Sequence, residues 1–283
     1  MDGAQQISAI NPDWLGGRSF EECWQAYEED GYITFPGILD ADQVARVRES
    51  LEPHFTKAGR NVFEGFQSNR VYGLIEKDPP LFSAMVTHPL ALAFVDRELG
   101  ENPLLSALLA INLHPGETVQ PWHLDDGHIR VPAPRPAFGV STFWTIDPMT
   151  ETNGATEVIP GSHKATHTLN SGGKEILADG ANEREEEAFK GGKKVILPAG
   201  SLMIAKGNLW HRGGANTSNG SRLIVTPQYC AGWARPLETM LLSISQETAK
   251  KLPKRVQELI GYSIYGAFMG YVDGMHPAKV LEA

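Results

Sequence analysis

Apolar positions in the first hundred residues fall mostly in helical rhythm. Phe20, Cys23, Trp24 and Tyr27 follow the i, i+3, i+4, i+7 spacing that lines one buried stripe of a helix. Val44, Val47 and Leu51 repeat the pattern behind Asp40 and Gln43, whose spacing lets each side chain satisfy the other's backbone N–H in a capping box. A third apolar segment, from about Leu90 to Leu99, runs into Gly100, the residue type that most readily closes a helix. Between the first two, GYITFPGIL (Gly31 to Leu39) reads as a strand.

From Leu104 the rhythm changes. LLSALLAINLH, FGVSTFWTI, ATEVI, KVIL, SLMIA and SRLIVTPQYC are short apolar runs set off by turn residues, and several strands at this spacing predict a sandwich or barrel. The strand signals stop near Tyr229, and Leu237 to Ile260 returns to helical periodicity, broken at Pro253. A single domain over 1–283 is expected, with a mainly helical support over 1–103, a β core over 104–230 and a helical segment over 231–283. Within the core, 165–192 (SGG, DG, NEREEEAFK, GGKK) is polar and glycine-rich. Its charge predicts a solvated surface excursion, and its length leaves a role in covering a site as the alternative.

Composition narrows the function classes. Of 283 residues 41 % are hydrophobic and 21 % charged, the balance of a globular protein rather than a disordered or membrane-spanning one. Lys and Arg number 25 against 34 Asp and Glu, and a net charge of −9 argues against nucleic acid or an anionic membrane as partner. Cys23 and Cys230 are too few for a disulfide framework, and the N-terminus MDGAQQISAINPDW lacks the basic and apolar regions of a secretory signal, so a cytoplasmic location is expected. A small molecule is the expected partner, and a homodimer is left open.

The chemistry concentrates in QPWHLDDGH and GNLWHRGG. On a strand, residues i and i+2 share a face, so His123 and Asp125 can offer an imidazole nitrogen and a carboxylate oxygen to one metal, with His211 as a third ligand from elsewhere. Two His and one carboxylate leave adjacent positions open, the arrangement of non-heme Fe(II) centres that activate O2. An HxD pair alone is weak, but Arg222 lies eleven residues after His211 at the start of a strand, where its planar guanidinium can grip a carboxylate through two parallel hydrogen bonds. A cosubstrate with a keto acid for the metal and a carboxylate at its other end accounts for all four residues. That molecule is 2-oxoglutarate.

QPWHLDDGH, TETNGATEVIPGSH (Thr150 to His163), His211, Arg222 and YGAFMGYVDGMHP together resemble the phytanoyl-CoA dioxygenase family of Fe(II)/2-oxoglutarate oxygenases over most of the chain. The resemblance implies a mainly β fold with flanking helices, a double-stranded β-helix or cupin-like jelly roll. It implies Fe(II) held by His123, Asp125 and His211, with 2-oxoglutarate and O2 as cosubstrates and Arg222 on the far carboxylate. Gln120 and Thr156 match positions that hydrogen-bond the cosubstrate. Asn112 and Trp144 are further candidates beside it, and Gln67, Arg70, Tyr72, His128 and Tyr229 for the substrate pocket. His54, His88, His114 and His163 are expected to be structural or exposed, and Asp126 to support its neighbour or face solvent.

The expected reaction is oxidation, most simply hydroxylation, of a C–H bond in a small organic substrate, with release of succinate and CO2. A small apolar natural product of secondary metabolism is preferred to a CoA ester, because no basic cluster is evident. The rival reading is a cupin-like protein that binds a metal and a small acid without activating O2, and Arg222 is the feature that separates the two.

Overall fold

The computed structural model describes residues 7–56, 58–164 and 191–282. Nearly all of the polar excursion expected over 165–192 lies outside the described residues.

Local signals place the N-terminal helices. Helix α1 (Phe20–Asp30) starts at a capping box in which Ser19 accepts from the Glu22 N–H and the Glu22 carboxylate accepts from the Ser19 N–H at 2.7 Å. It ends at Gly31, whose φ of 80° lies in the left-handed region that glycine enters without strain. Helix α2 (Ala41–Leu51) is capped by Asp40 and Gln43 through bonds of 2.8 and 2.9 Å, as the spacing predicts. Three more follow: α3 (Leu74–Lys77), α4 (Pro79–Val86) and α5 (Pro89–Leu99). After the last strand come α6 (Met240–Ser243), α7 (Gln246–Lys251) and α8 (Lys254–Leu259).

The strands are β1 (Tyr32–Phe35), β2 (Ser68–Tyr72), β3 (Leu104–Leu113), β4 (Gly139–Thr145), β5 (Thr156–Val158), β6 (Lys193–Lys194), β7 (Leu202–Lys206), β8 (His211–Gly213) and β9 (Arg222–Cys230). Six form one antiparallel sheet in the order β1-β7-β4-β9-β3-β2, and three form a second in the order β6-β5-β8. Bridges Met149–Leu197, Asn153–Asn216 and His123–His211 prolong the smaller sheet. The result is the expected jelly roll, mainly β with flanking helices. Strand β2 comes from a stretch expected to be helical, because SNRVY carries too few apolar residues to show a period of two.

Alternation along the large sheet sorts side chains between two cores. Leu108, Ala110, Val140, Trp144, Leu202, Ile204, Leu223, Val225 and Tyr229 pack against the helices. Phe143, Met203, Ala205 and Ile224 face the small sheet and meet Val158, Val195, Leu197 and Leu209. On the helix side Phe94 is ringed by Phe20, Tyr27 and Phe35, with centroids 5.1, 5.2 and 5.9 Å away. Lys206 locks α1 and α5 to the end of β7 by ion pairs to Glu28 and Glu98 at 2.6 and 2.5 Å. Both cysteines are buried free thiols, and no described helix is long and apolar enough to cross a membrane.

His88 joins that helix-side core between Trp14 and Trp144, at ring distances of 4.6 and 5.1 Å. Burial lowers its pKa to about 4, so the folded protein keeps the ring neutral while the unfolded chain protonates near its ordinary value. Its contribution is therefore complete above pH 6.5 and is lost as pH falls toward 4. Taking the metal-free protein from pH 7 to pH 5 is expected to cost about 2 kcal/mol through this residue alone. Denaturant titrations at both pH values check it: His88→Gln must show a shallower loss than the parent.

Candidate metal centre and cosubstrate pocket

One end of the jelly roll opens into a cavity of about 470 Å3 between the two sheets. His211, the first residue of β8, exchanges backbone hydrogen bonds of 3.0 and 3.1 Å with His123, which brings the two imidazoles to a centroid distance of 4.4 Å. His123 and Asp125 do not lie on a continuous strand. His123 forms this bridge and Asp125 sits in the turn that follows, closed by the Gly127 N–H on Leu124 O at 3.1 Å. The turn brings the carboxylate to the histidines. One ligand atom from each of His123, Asp125 and His211 lies within 4.8 Å of the others.

Hydrogen bonds set both tautomers. His123 Nδ1 lies 3.0 Å from Pro121 O, and His211 Nδ1 lies 3.0 Å from Leu209 O. A carbonyl only accepts, so each Nδ1 carries the proton and each Nε2 keeps its lone pair. Those two Nε2 atoms stand 3.7 and 3.5 Å from Asp125 Oδ1. Burial, reinforced by His211, lowers the His123 pKa to about 4, so a neutral ring, ready to ligate, is the form present at neutral pH. Asp126 is neither on the surface nor in the cavity: it is buried and ion-paired to Arg135.

Arg222 opens β9 with its guanidinium in the same cavity. It is 3 % exposed, its Nη2 donates to Gly154 O at 2.5 Å, and its Nε and Nη1 have no hydrogen-bond partner among the described residues. Two of its three nitrogens are thus left for an acceptor, and leaving a buried donor unpaired costs about 1 to 3 kcal/mol, more when charged. Burial and then Arg70 lower the Arg222 pKa to about 10, so the cation persists at neutral pH. A histidine–carboxylate–histidine donor set beside an unsatisfied arginine fits iron and a dicarboxylate cosubstrate.

The remaining expected residues divide. Thr156 and Tyr72 line the cavity. Gln120 lines it too, but its amide donates to Phe63 O and accepts from the Gly213 N–H at 2.8 Å, which ties the 58–67 loop to β8 and leaves one N–H and one lone pair for a ligand. Arg70 also holds that loop, with bonds of 2.8 and 2.7 Å to Glu64 O and Phe63 O, and so presents Phe63 edge-on to His123.

Asn112, Trp144 and Tyr229 do not reach the cavity, because strand parity turns them to the helix side. Ile111, Phe143 and Gln228 take the facing positions. Asn112 pairs across from Asn69, Trp144 packs on His88, and the Tyr229 hydroxyl donates to Val86 O at 2.8 Å. His128 and Gln67 are exposed and outside the cavity lining. Ser141, Phe143, Thr226 and Gln228 were missed. The last two share the parity of Arg222, a signal present in the sequence itself.

Comparisons with known proteins point the same way as the geometry. The pattern of the phytanoyl-CoA dioxygenase (PhyH) family matches residues 27–224. Similar proteins include the dioxygenase ALT11 of Alternaria alternata, 26 % identical over 282 residues, covering 92 % of this chain and 86 % of the relative. The dioxygenase FUM3 of Gibberella moniliformis is 26 % identical over 289 residues, covering 91 % and 85 %. Among solved structures, the epimerase SnoN in complex with Fe3+, alpha ketoglutarate and nogalamycin RO superposes with a TM-score of 0.62 at 24 % identity, over 77 % of this chain and 86 % of that one. HygX of Streptomyces hygroscopicus, with nickel and 2-oxoglutarate bound, gives 0.61 at 15 %, over 76 % and 88 %.

Proposed function

Because the chain belongs to the phytanoyl-CoA dioxygenase family of Fe(II)/2-oxoglutarate-dependent oxygenases, we propose that it oxidises, most simply by hydroxylation, a C–H bond of a small and largely apolar organic molecule, with release of succinate and CO2. The observation that carries this reading is the sharing of one cavity by the His123, Asp125 and His211 ligand atoms and by Arg222 with its two unpartnered nitrogens. A cupin-like protein that merely holds a metal has no use for that second feature.

Iron bound there supplies O2 activation coupled to decarboxylation of the keto acid. The chain's own part is positional. His123 and His211 present Nε2 because their Nδ1 protons are held by backbone carbonyls, and Asp125 supplies the anionic ligand. Arg222 neutralises and orients the distal carboxylate, with the Thr156 side chain beside it in the cavity. Phe63, held by Arg70 and Gln120, stands over the metal side and shields it from water.

Substrate class follows from the rest of the lining. Ala107, Leu109, Phe143 and Leu237 make the wall apolar, and Thr226 and Gln228 supply polar contacts. Arg60 and Arg212 at the cavity are paired with Glu64 and Glu157 at 2.5 and 2.7 Å, which argues against a CoA ester, whose phosphates need open cationic groups. A natural product of secondary metabolism fits this lining. The test supplies Fe(II), 2-oxoglutarate, ascorbate and 18O2 with a panel of terpenoid and alkaloid probes. Succinate formed in step with a product carrying one labelled oxygen is the expected result. No succinate above the iron-free control with any probe would overturn the proposal.

A further inference from the structure

Asp125 is the only carboxylate of the proposed metal site, and its two oxygens have different surroundings. Oδ1 faces His123 Nε2 and His211 Nε2 at 3.7 and 3.5 Å, whereas Oδ2 accepts a hydrogen bond from Ser141 Oγ. Ser141 is 2 % exposed, in the middle of β4, with Ala205 and Gln228 as its register partners on β7 and β9. A ladder on both sides fixes its backbone, and the hydroxyl is aimed at the carboxylate from a position where it has little freedom to move.

The backbone around Asp125 is anchored on both sides. His123 is bridged to His211, and Asp126 is held by its N–H on Gly207 O at 3.1 Å and by its carboxylate, which accepts from the Phe138 N–H and from Arg135 Nη1 at 2.8 Å each. The Asp125 side chain itself is less constrained, since the terminal torsion of a carboxylate is broad and two-fold. We infer that Ser141 is a positioning residue for the metal: its hydrogen bond holds Oδ2 aside, leaves Oδ1 as the single carboxylate ligand, and so keeps adjacent coordination positions open for cosubstrate and O2. Partners of metal ligands act in this way elsewhere, and removing one typically costs ten- to a hundredfold in metal affinity. The inference rests on the proposed function above and adds a determinant that the family pattern of ligands does not contain.

Calorimetric titration of the metal-free protein with Co(II), under nitrogen and without any substrate, tests it. Ser141→Ala is expected to bind Co(II) roughly ten- to a hundredfold more weakly than the parent. Its metal-free form should lose no more stability than one hydrogen bond supplies, because no ladder bond is touched. Ser141→Thr keeps the hydroxyl and should restore affinity; if its extra methyl prevents folding, the alanine variant decides alone. A second readout is the visible Co(II) spectrum on adding 2-oxoglutarate: the parent should change as the acid chelates, and Ser141→Ala should respond less. Parent-like affinity in Ser141→Ala would overturn the inference, as would a weaker affinity matched by an equally destabilised metal-free protein. If the parent itself binds no Co(II), the functional reading fails rather than the role of Ser141.

Discussion

Replacing His123, Asp125 or His211 by Ala is expected to reduce 2-oxoglutarate turnover to background while the metal-free protein still unfolds cooperatively. All three offer ligand atoms that lie within 4.8 Å of one another, so on the proposed function losing any one leaves two ligands and an incomplete coordination set. Their side chains line a cavity mouth and are not the large side chains that fill either hydrophobic cluster. Linkage gives a second readout. Metal at about a hundred times its Kd stabilises the parent by about 2.7 kcal/mol, and the variants should lose most of that gain. Succinate assays and thermal melts with and without Fe(II) check both, and parent-like succinate release from any of the three would remove that residue from the site.

The second large effect is expected at Arg222. Lysine there keeps a positive charge but loses the planar pair of donors, so 2-oxoglutarate should bind about 1 to 3 kcal/mol more weakly, roughly 5- to 150-fold. Metal affinity should not change, since Arg222 touches none of the three ligands through any hydrogen bond and is fixed by its bond to Gly154 O. The KM for 2-oxoglutarate reads the effect. An unchanged KM would transfer the carboxylate to another cation, although Arg70 is engaged by Glu64 O and Phe63 O, and Arg212 by Glu157.

Legibility in the sequence followed the strength of the local physics. Capping boxes at Ser19 and Asp40 and the helical stripe at Phe20 to Tyr27 act within a few residues, and the helices stand where those signals put them. The jelly roll was implied by the family resemblance, and the His123, Asp125, His211 and Arg222 constellation was readable because ligand chemistry restricts residue type. Facing was less readable. In β4 all seven residues are buried, so FGVSTFWTI offers no polar alternation to tell Phe143, which lines the cavity, from Trp144, which packs under the helices. Parity did hold the answer in β9: Arg222 and Tyr229 differ by an odd number and must face opposite ways, whereas Thr226 and Gln228 must join Arg222. Asp125 approaches the two histidines through a turn rather than the expected strand, and the bond from Gln120 to Phe63 O joins segments 57 residues apart, which no local pattern encodes.

On the proposed function, iron and 2-oxoglutarate share this one cavity, the metal on His123, Asp125 and His211 and the acid between it and Arg222. Anaerobic titration of the Fe(II)-loaded protein with 2-oxoglutarate tests this most directly, because chelation of Fe(II) by a keto acid gives a weak visible charge-transfer band. The parent should develop the band and saturate at one equivalent, and Arg222→Lys should reach the same band only at higher 2-oxoglutarate. A fully iron-loaded parent that stays colourless at saturating 2-oxoglutarate would mean that the acid does not chelate the metal in this cavity.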